Sequence, residues 1–395
     1  MNQKNFQKLI DNFRERPLEN RMWLEDRKDE LQSLKNCTTN FSQTIIGISG
    51  ERGCGKTSLF NLFDASNSMK IVLNIEEKDS KFQIVLDISQ KLCEFLLKER
   101  MPREIKKYAT HFYQFTQKQE TYLNSREYGV DIGPKWQKQE GRTSTERFNI
   151  TNIKNRLNNM LMLLAKHRKV ALCIDEIDKE SKRDVILILD SLRNVLRQPN
   201  IVTFLSLPPQ IYSDFLRSSV KPMDDYNLEN ILVKIIPLLP LQDPEIGNII
   251  TKRIPDGYHY IIPQEVKKNL IEYADGNPRN AIVPVYNILG EKPPSHPDIS
   301  LQDVKTAIKP FLETYINEFS LTENQKKSLG SIIWAGKDVL SRKFIYDTLH
   351  TNGLAKSTIA DMIDGFIQKR IMEEKDDSIY VDRKIRLYFR LFQQI

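Results

Sequence analysis

The stretch "GISGERGCGKTS", Gly47 to Ser58, concentrates residues that could do chemistry: Gly50, Gly55, Lys56 and Thr57 fill the spacing G-x-x-x-x-G-K-[ST]. Glycines placed this way let successive backbone N–H groups curl around phosphates, and the positive end of a following helix adds to them. A lysine at this spacing reaches the β- and γ-phosphates of a nucleoside triphosphate, and the next hydroxyl meets its magnesium ion. The expected nucleotide-binding residues are Gly50, Glu51, Arg52, Gly53, Cys54, Gly55, Lys56, Thr57 and Ser58, with Thr57 also on Mg²⁺. The alternative is a glycine-rich turn that matches by chance. The flanks speak against it: "QTIIGIS" reads as a short apolar strand and "SLFNLFDA" has helical apolar spacing.

A triphosphate that is to be cleaved by water also needs carboxylates at the end of a neighbouring buried strand. In "KVALCIDEIDK", Val170 to Ile174 reads as that strand. Asp175 would then hold Mg²⁺ through water, and Glu176 would orient or deprotonate the attacking water. Ser206, near the end of the strand "IVTFLSL", either holds the γ-phosphate or the water, or is a plain turn residue. Arg279, just after the break in "IEYADGNPRNAI", is either a guanidinium that reports the γ-phosphate or a solvated arginine after a turn. The expected catalytic set is Lys56, Glu176, Ser206 and Arg279.

These side chains need a sheet to hold them. Strands and helices alternate around the motifs, and the amphipathic "RDVILILDSLRNVLRQ" precedes "IVTFLSL", the order of a doubly wound α/β sheet. A chain of 395 residues, 40% hydrophobic, can bury at least one sizeable core and reads as two or three domains. No apolar run of about 18 residues appears, and the N-terminus is polar, so the expectation is a soluble, cytoplasmic protein away from membranes. Cys37, Cys54, Cys93 and Cys173 form no CxxC pair, which suggests neither a zinc site nor a disulfide framework. The net charge of +7, from 59 basic and 52 acidic residues, permits a nucleic-acid partner without requiring one.

Together these segments resemble AAA+ ATPases, and within them the initiator clade of origin-recognition and Cdc6-type proteins, with the related STAND-type switch NTPases. "GERGCGKTS" matches that family's Walker A motif, "LCIDEID" its Walker B motif and "GNPR" its sensor-2 motif at the head of a lid helix. "WLEDRKDELQSLK", Trp23 to Lys35, is similar to the family's degenerate entry helix beside the adenine, with Asp26 where a glycine is usual and Arg27 in the nucleotide site. The resemblance implies ATP and Mg²⁺ as ligands, Ser206 at the sensor-1 position and Arg279 as a γ-phosphate sensor. Such sites are often completed by an arginine from a neighbouring subunit of a homo-oligomer. Arg217, in "IYSDFLRSSV", is the candidate for that role, or else an exposed arginine at a helix end.

The expected organisation is an N-terminal tail at 1–22, a P-loop ATPase domain at 23–240 with an insertion at about 101–150, a helical lid at 241–310 and a winged-helix domain at 311–395. The insertion interleaves Tyr108, His111, Phe112, Tyr113, Phe115 and Lys118, a set that could stack on a nucleic acid or pack a protein, and "EYGVDIGPKWQKQEGRTSTERFNI" reads as a hairpin. After Pro310, "TENQKKSLGSIIWAG", "SRKFIYDTLHTNG" and "AKSTIADMIDGFIQKRI" read as three helices, and "MEEKDDSIYVDRKIRLYFRL" as a strand, an acidic turn and a second strand or short helix. This resembles a winged helix-turn-helix. Its second helix would present Lys356, Ser357 and Thr358 to bases, with Arg342, Lys343, Lys369, Arg370, Arg383, Lys384 and Arg386 on phosphates. Asp361, Asp364 and the "EEKDD" tip oppose that reading. The expectation is a slowly hydrolysing, ATP-dependent AAA+ switch that binds double-stranded DNA. The alternative is a STAND-like regulatory or defence ATPase whose winged helix and insertion bind protein partners. A processive motor ranks last, since no further helicase motif is visible.

Overall fold

The apolar runs quoted above become the centre of a parallel sheet. The structure, a computed structural model, describes residues 1–19, 24–25, 27–76, 81–127, 150–218, 228–336, 339–376 and 378–393. The chain divides into two compact units, Pro17–Leu239 and Met1–Arg16 with Pro240–Ile395. In chain order, α1 (Gln3–Phe13) belongs to the second of these. The first holds α2 (Lys28–Asn40), β1 (Thr44–Ser49), α3 (Lys56–Leu62), β2 (Met69–Asn74), α4 (Lys81–Lys98) and α5 (Arg103–Glu127). It continues with α6 (Ile150–His167), β3 (Val170–Asp175), α7 (Lys182–Leu196), β4 (Ile201–Leu207), α8 (Pro209–Ser218) and β5 (Lys234–Pro237).

The strand order is β2-β3-β4-β1-β5, and every pairing is parallel. β3 and β4 are buried at every position, as strands covered by helices on both faces must be. Alternation along them sorts the side chains between two cores. Leu172, Ile174 and Leu205 face the core built by α4 to α7, while Cys173, Val202 and Phe204 face the core built by α2 and α3. β4 lies between β1 and β3, with Ile48 beside Ser206 and Ile174 beside Leu205. The carboxyl ends of β1, β3 and β4 therefore open side by side on one edge of the sheet.

The insertion differs from its expected character. Tyr108 to Lys118 lie on α5, and most of their rings face inward: Phe112 is fully buried, the Tyr108 hydroxyl donates to the Arg156 carbonyl, and the Arg156 guanidinium stacks on Phe115 at 4.2 Å. His111 and Lys118 are left exposed. Helical spacing brings four of these aromatics onto the core side, so they serve packing. The expected hairpin falls almost wholly on 128–149 and lies outside the described residues.

The other unit adds α9 (Asp243–Arg253), α10 (Gln264–Ala274), α11 (Pro278–Glu291), α12 (Leu301–Asn317), α13 (Glu323–Ala335), α14 (Arg342–Thr351) and α15 (Lys356–Gln368). It ends with the antiparallel pair β6 (Met372–Lys375) and β7 (Ser378–Val381), then α16 (Arg383–Phe392). The segment expected as a tail includes α1, whose Phe6, Leu9 and Phe13 are buried among α9, α10 and α11. The break expected after Pro310 falls inside α12, which runs through that proline. The helix continues because Ile308, Leu312 and Ile316 on either side are buried, outweighing one lost backbone donor. α16 joins the two cores of this unit, with Leu387 in one and Ile385 and Phe389 in the other.

Ion pairs fasten α16 in place. Arg383 grips Asp243 with both terminal guanidinium nitrogens, at 2.8 and 2.9 Å, and Arg390 donates to Glu272 at 2.6 Å with Arg386 at 3.4 Å. Glu272 is buried, so removing its charge strands two arginines. Glu272→Ala is expected to lower unfolding stability by about 3 kcal/mol, read as a shift in a urea melt. A shift under about 0.5 kcal/mol would mean the cluster holds nothing together.

Candidate functional site

The loop after β1 owes its shape to glycine. Gly53 and Gly55 adopt φ of 88° and 103°, the left-handed region that side chains with a Cβ avoid. At Gly50 a Cβ would stand 2.7 Å from Cys54 Sγ and 3.1 Å from Leu238 Cβ, so a larger residue there has to push both neighbours aside. Gly55 precedes α3 directly, and Lys56 and Thr57 open that helix with its free N–H groups. Cys54 is buried in this turn, and burial pushes its thiol pKa up against the opposing charges of Lys56 and Arg27. It is an inert filler.

Lys56 is buried and fully engaged. Its Nζ donates to the Gly50 and Glu51 carbonyls at 2.6 and 2.8 Å and pairs with Asp178 Oδ2 at 2.9 Å. Ser206 Oγ, at the end of β4, donates to the other oxygen of Asp178 at 3.1 Å. Asp178 sits in a single 3₁₀ turn, Ile177–Lys179, that follows β3 and is anchored by the buried Ile177. Sequence reading passed over it, although the third carboxylate of "DEID" was a visible signal.

Asp175 ends β3 and is buried. Its Oδ1 accepts the Glu176 N–H at 2.8 Å, and its Oδ2 is buried with no hydrogen-bond partner. Burial raises its pKa; the Thr57 hydroxyl and the Glu176 N–H act against that. An orphaned carboxylate oxygen beside a hydroxyl, both hard donors, is a donor set that fits a magnesium ion. Glu176 follows at φ 70° and ψ 8°, an unusual conformation for a residue with a Cβ, and its carboxylate pairs with Lys179.

The remaining expected residues behave differently. Ser58 Oγ accepts the Leu18 N–H at 2.9 Å, so its hydroxyl holds the segment before α2. Arg27 is buried, donating to Glu30 at 3.0 Å and to the Leu239 carbonyl at 2.8 Å. Trp23 and Asp26 of the expected entry motif lie outside the described residues. Glu51 and Arg52 are exposed on the loop, and Arg217 is exposed at the end of α8. Arg279 lies in the other unit at the head of α11, where Asn277 caps the helix by accepting the Arg279 N–H at 3.1 Å and Glu15 pairs with its guanidinium at 2.9 Å. The structure thus brings Lys56, Thr57, Asp175, Glu176 and Ser206 to one end of one sheet, with Asp178 among them.

A parallel sheet with a glycine loop entering a helix beside β1, and an acidic pair ending β3, defines a P-loop NTPase fold. More than half of the chain, residues 31–242, matches the model of the KAP family P-loop domain. The chain belongs to that family, and nucleotide binding follows from membership. No curated protein matches it. Among solved structures it is similar to a Walker-type ATPase of Pyrococcus abyssi, with 16% identity over 96% of this chain and 99% of that one and a TM-score of 0.47. It is also similar to Cdc6p from Pyrobaculum aerophilum, with 13% identity over 96% of each chain and a TM-score of 0.47. The Holliday junction branch migration motor RuvB of Thermotoga maritima has 15% identity over 97% of this chain and 99% of that one, with a TM-score of 0.39. Among the described residues no helix is long and apolar enough to cross a membrane.

Proposed function

We propose that this chain is a magnesium-dependent ATPase that works as a switch, reporting its nucleotide state through the unit that ends in β6, β7 and α16. The observation that carries the reading is the convergence of Lys56, Thr57, Asp175 with its orphaned oxygen, and Glu176 at one sheet edge. Loop N–H groups and Lys56 bind and orient the β- and γ-phosphates, while Thr57 and Asp175 would hold the metal. When bound, magnesium supplies charge neutralisation on those phosphates. Glu176 accepts the proton of the attacking water, and Ser206, beside Ile48 of β1, would hydrogen-bond the γ-phosphate or that water. Arg279 as a γ-phosphate sensor, Arg217 as a donor to a neighbouring copy and the choice of adenine all rest on the AAA+ resemblance.

The terminal unit is of winged-helix type in this reading: α13, α14 and α15 precede a hairpin, and Leu340 bridges to Ile379 as a third short strand would. A protein partner suits it better than duplex DNA. Arg342 is held by Glu374 and Asp364, Lys369 donates to the Phe319 carbonyl, Lys384 lies over Tyr315, and Arg383 and Arg386 fasten α16. DNA contact would then fall to Lys343, Lys356 and Arg370, beside the exposed Asp361 and Asp364. Fluorescence anisotropy with labelled duplex over a salt series is expected to give weak binding, with a log–log slope no steeper than about −3 and the same with ATP or ADP. A slope near −6 with nucleotide-dependent affinity would restore the DNA reading, since the ion pairs would then have to open.

A further inference from the structure

Lys56 has three N–H donors, and the protein uses all of them: two go to the Gly50 and Glu51 carbonyls and one to Asp178. A triphosphate seated in this loop needs the same ammonium. We propose that Asp178 is the gate of the nucleotide site, a carboxylate that stands in for phosphate on Lys56 and must let go before phosphate can bind. This rests on the nucleotide reading above and deepens it.

The physical case has three parts. The pair is well shielded, with side-chain exposures of 5% for Lys56 and 12% for Asp178, so their attraction is screened far less than that of a surface pair. Ser206 holds the second oxygen of Asp178 and aims the carboxylate at the lysine. Phosphates arriving in the loop bring negative charge beside that carboxylate, so the bound state sets like charges together unless Asp178 withdraws. Withdrawal is local, because Asp178 lies in a one-turn helix entered through the left-handed Glu176. Asp178 is thus a positioning residue that sets the availability of Lys56 and opposes nucleotide entry.

The test uses the full chain and a fluorescent ADP analogue in a stopped-flow instrument, with equilibrium titrations alongside. Asp178→Asn keeps the size of the side chain and an oxygen for Ser206 but removes the competing charge. It is expected to bind nucleotide about tenfold tighter, mostly through a faster association rate. Asp178→Ala gives the same direction should the Asn variant fold poorly, and Asp178→Glu, which keeps the charge, gives no gain. A residue that merely braced the loop would weaken binding when replaced. Unchanged or weaker binding by both neutral variants, with the native chain binding normally, overturns the gate. No binding by the native chain or any variant overturns the nucleotide reading and the gate with it.

Discussion

Lys56→Ala is expected to abolish measurable binding of ATP and ADP in isothermal titration. The ammonium is buried at the loop, and it makes charge-assisted hydrogen bonds to the oxygens around it. Losing two such bonds to phosphate corresponds to an affinity loss of about 10²-fold or more. The same substitution leaves Asp178 facing Ser206 with no cation, so the nucleotide-free protein also loses about 3 kcal/mol of stability. Circular dichroism at the titration temperature separates the two effects: a folded, non-binding variant assigns the loss to the phosphate contact. Retained affinity in the folded variant would remove Lys56 from the site.

The second large effect is expected from Glu176→Gln, which should bind nucleotide as the native chain does and lower turnover by about 10²- to 10⁴-fold, read as phosphate release at saturating ATP. Gln keeps the shape and the hydrogen-bonding tip but cannot take a proton from water. Its partner Lys179 is a part-exposed surface neighbour, so loss of that pair shifts stability by no more than about 1 kcal/mol. Turnover at the original rate would mean that another group is the base. The pairing with Lys179 also bears on speed. On the proposed mechanism the Glu176 carboxylate must leave the lysine to face a water molecule, a step expected to slow hydrolysis.

Much of the candidate site was legible in the chain because its parts are contiguous. Gly50 to Thr57 carry their chemistry within one turn, and the left-handed Gly53 and Gly55 are what such a loop demands. Asp175 and Glu176 were legible because a run of buried strand residues ends on two carboxylates, a sequence with few other uses. Ser58 was not, since its neighbour Leu18 comes from a segment forty positions away and nothing local announces it. The aromatics of α5 misled for a related reason. Basic and aromatic residues alternate in the sequence, and only the helical turn separates Phe112, which is buried, from Lys118, which is not.

The sequence by itself determined the ligand class and named the candidate reacting groups, because a phosphate loop and a strand-end acidic pair are short-range chemistry. Tertiary structure alone decided which neighbours those groups have. β4 is laid between β1 and β3, so Lys56, Asp178 and Ser206, distant along the chain, meet within hydrogen-bonding reach. It likewise decided what the basic residues near the C-terminus do. Arg383 and Arg386 read as phosphate contacts in the sequence, yet helix packing sets them against Asp243 and Glu272. A charge is available to a partner only after the fold has finished choosing its neighbours, and that choice is made by long-range topology.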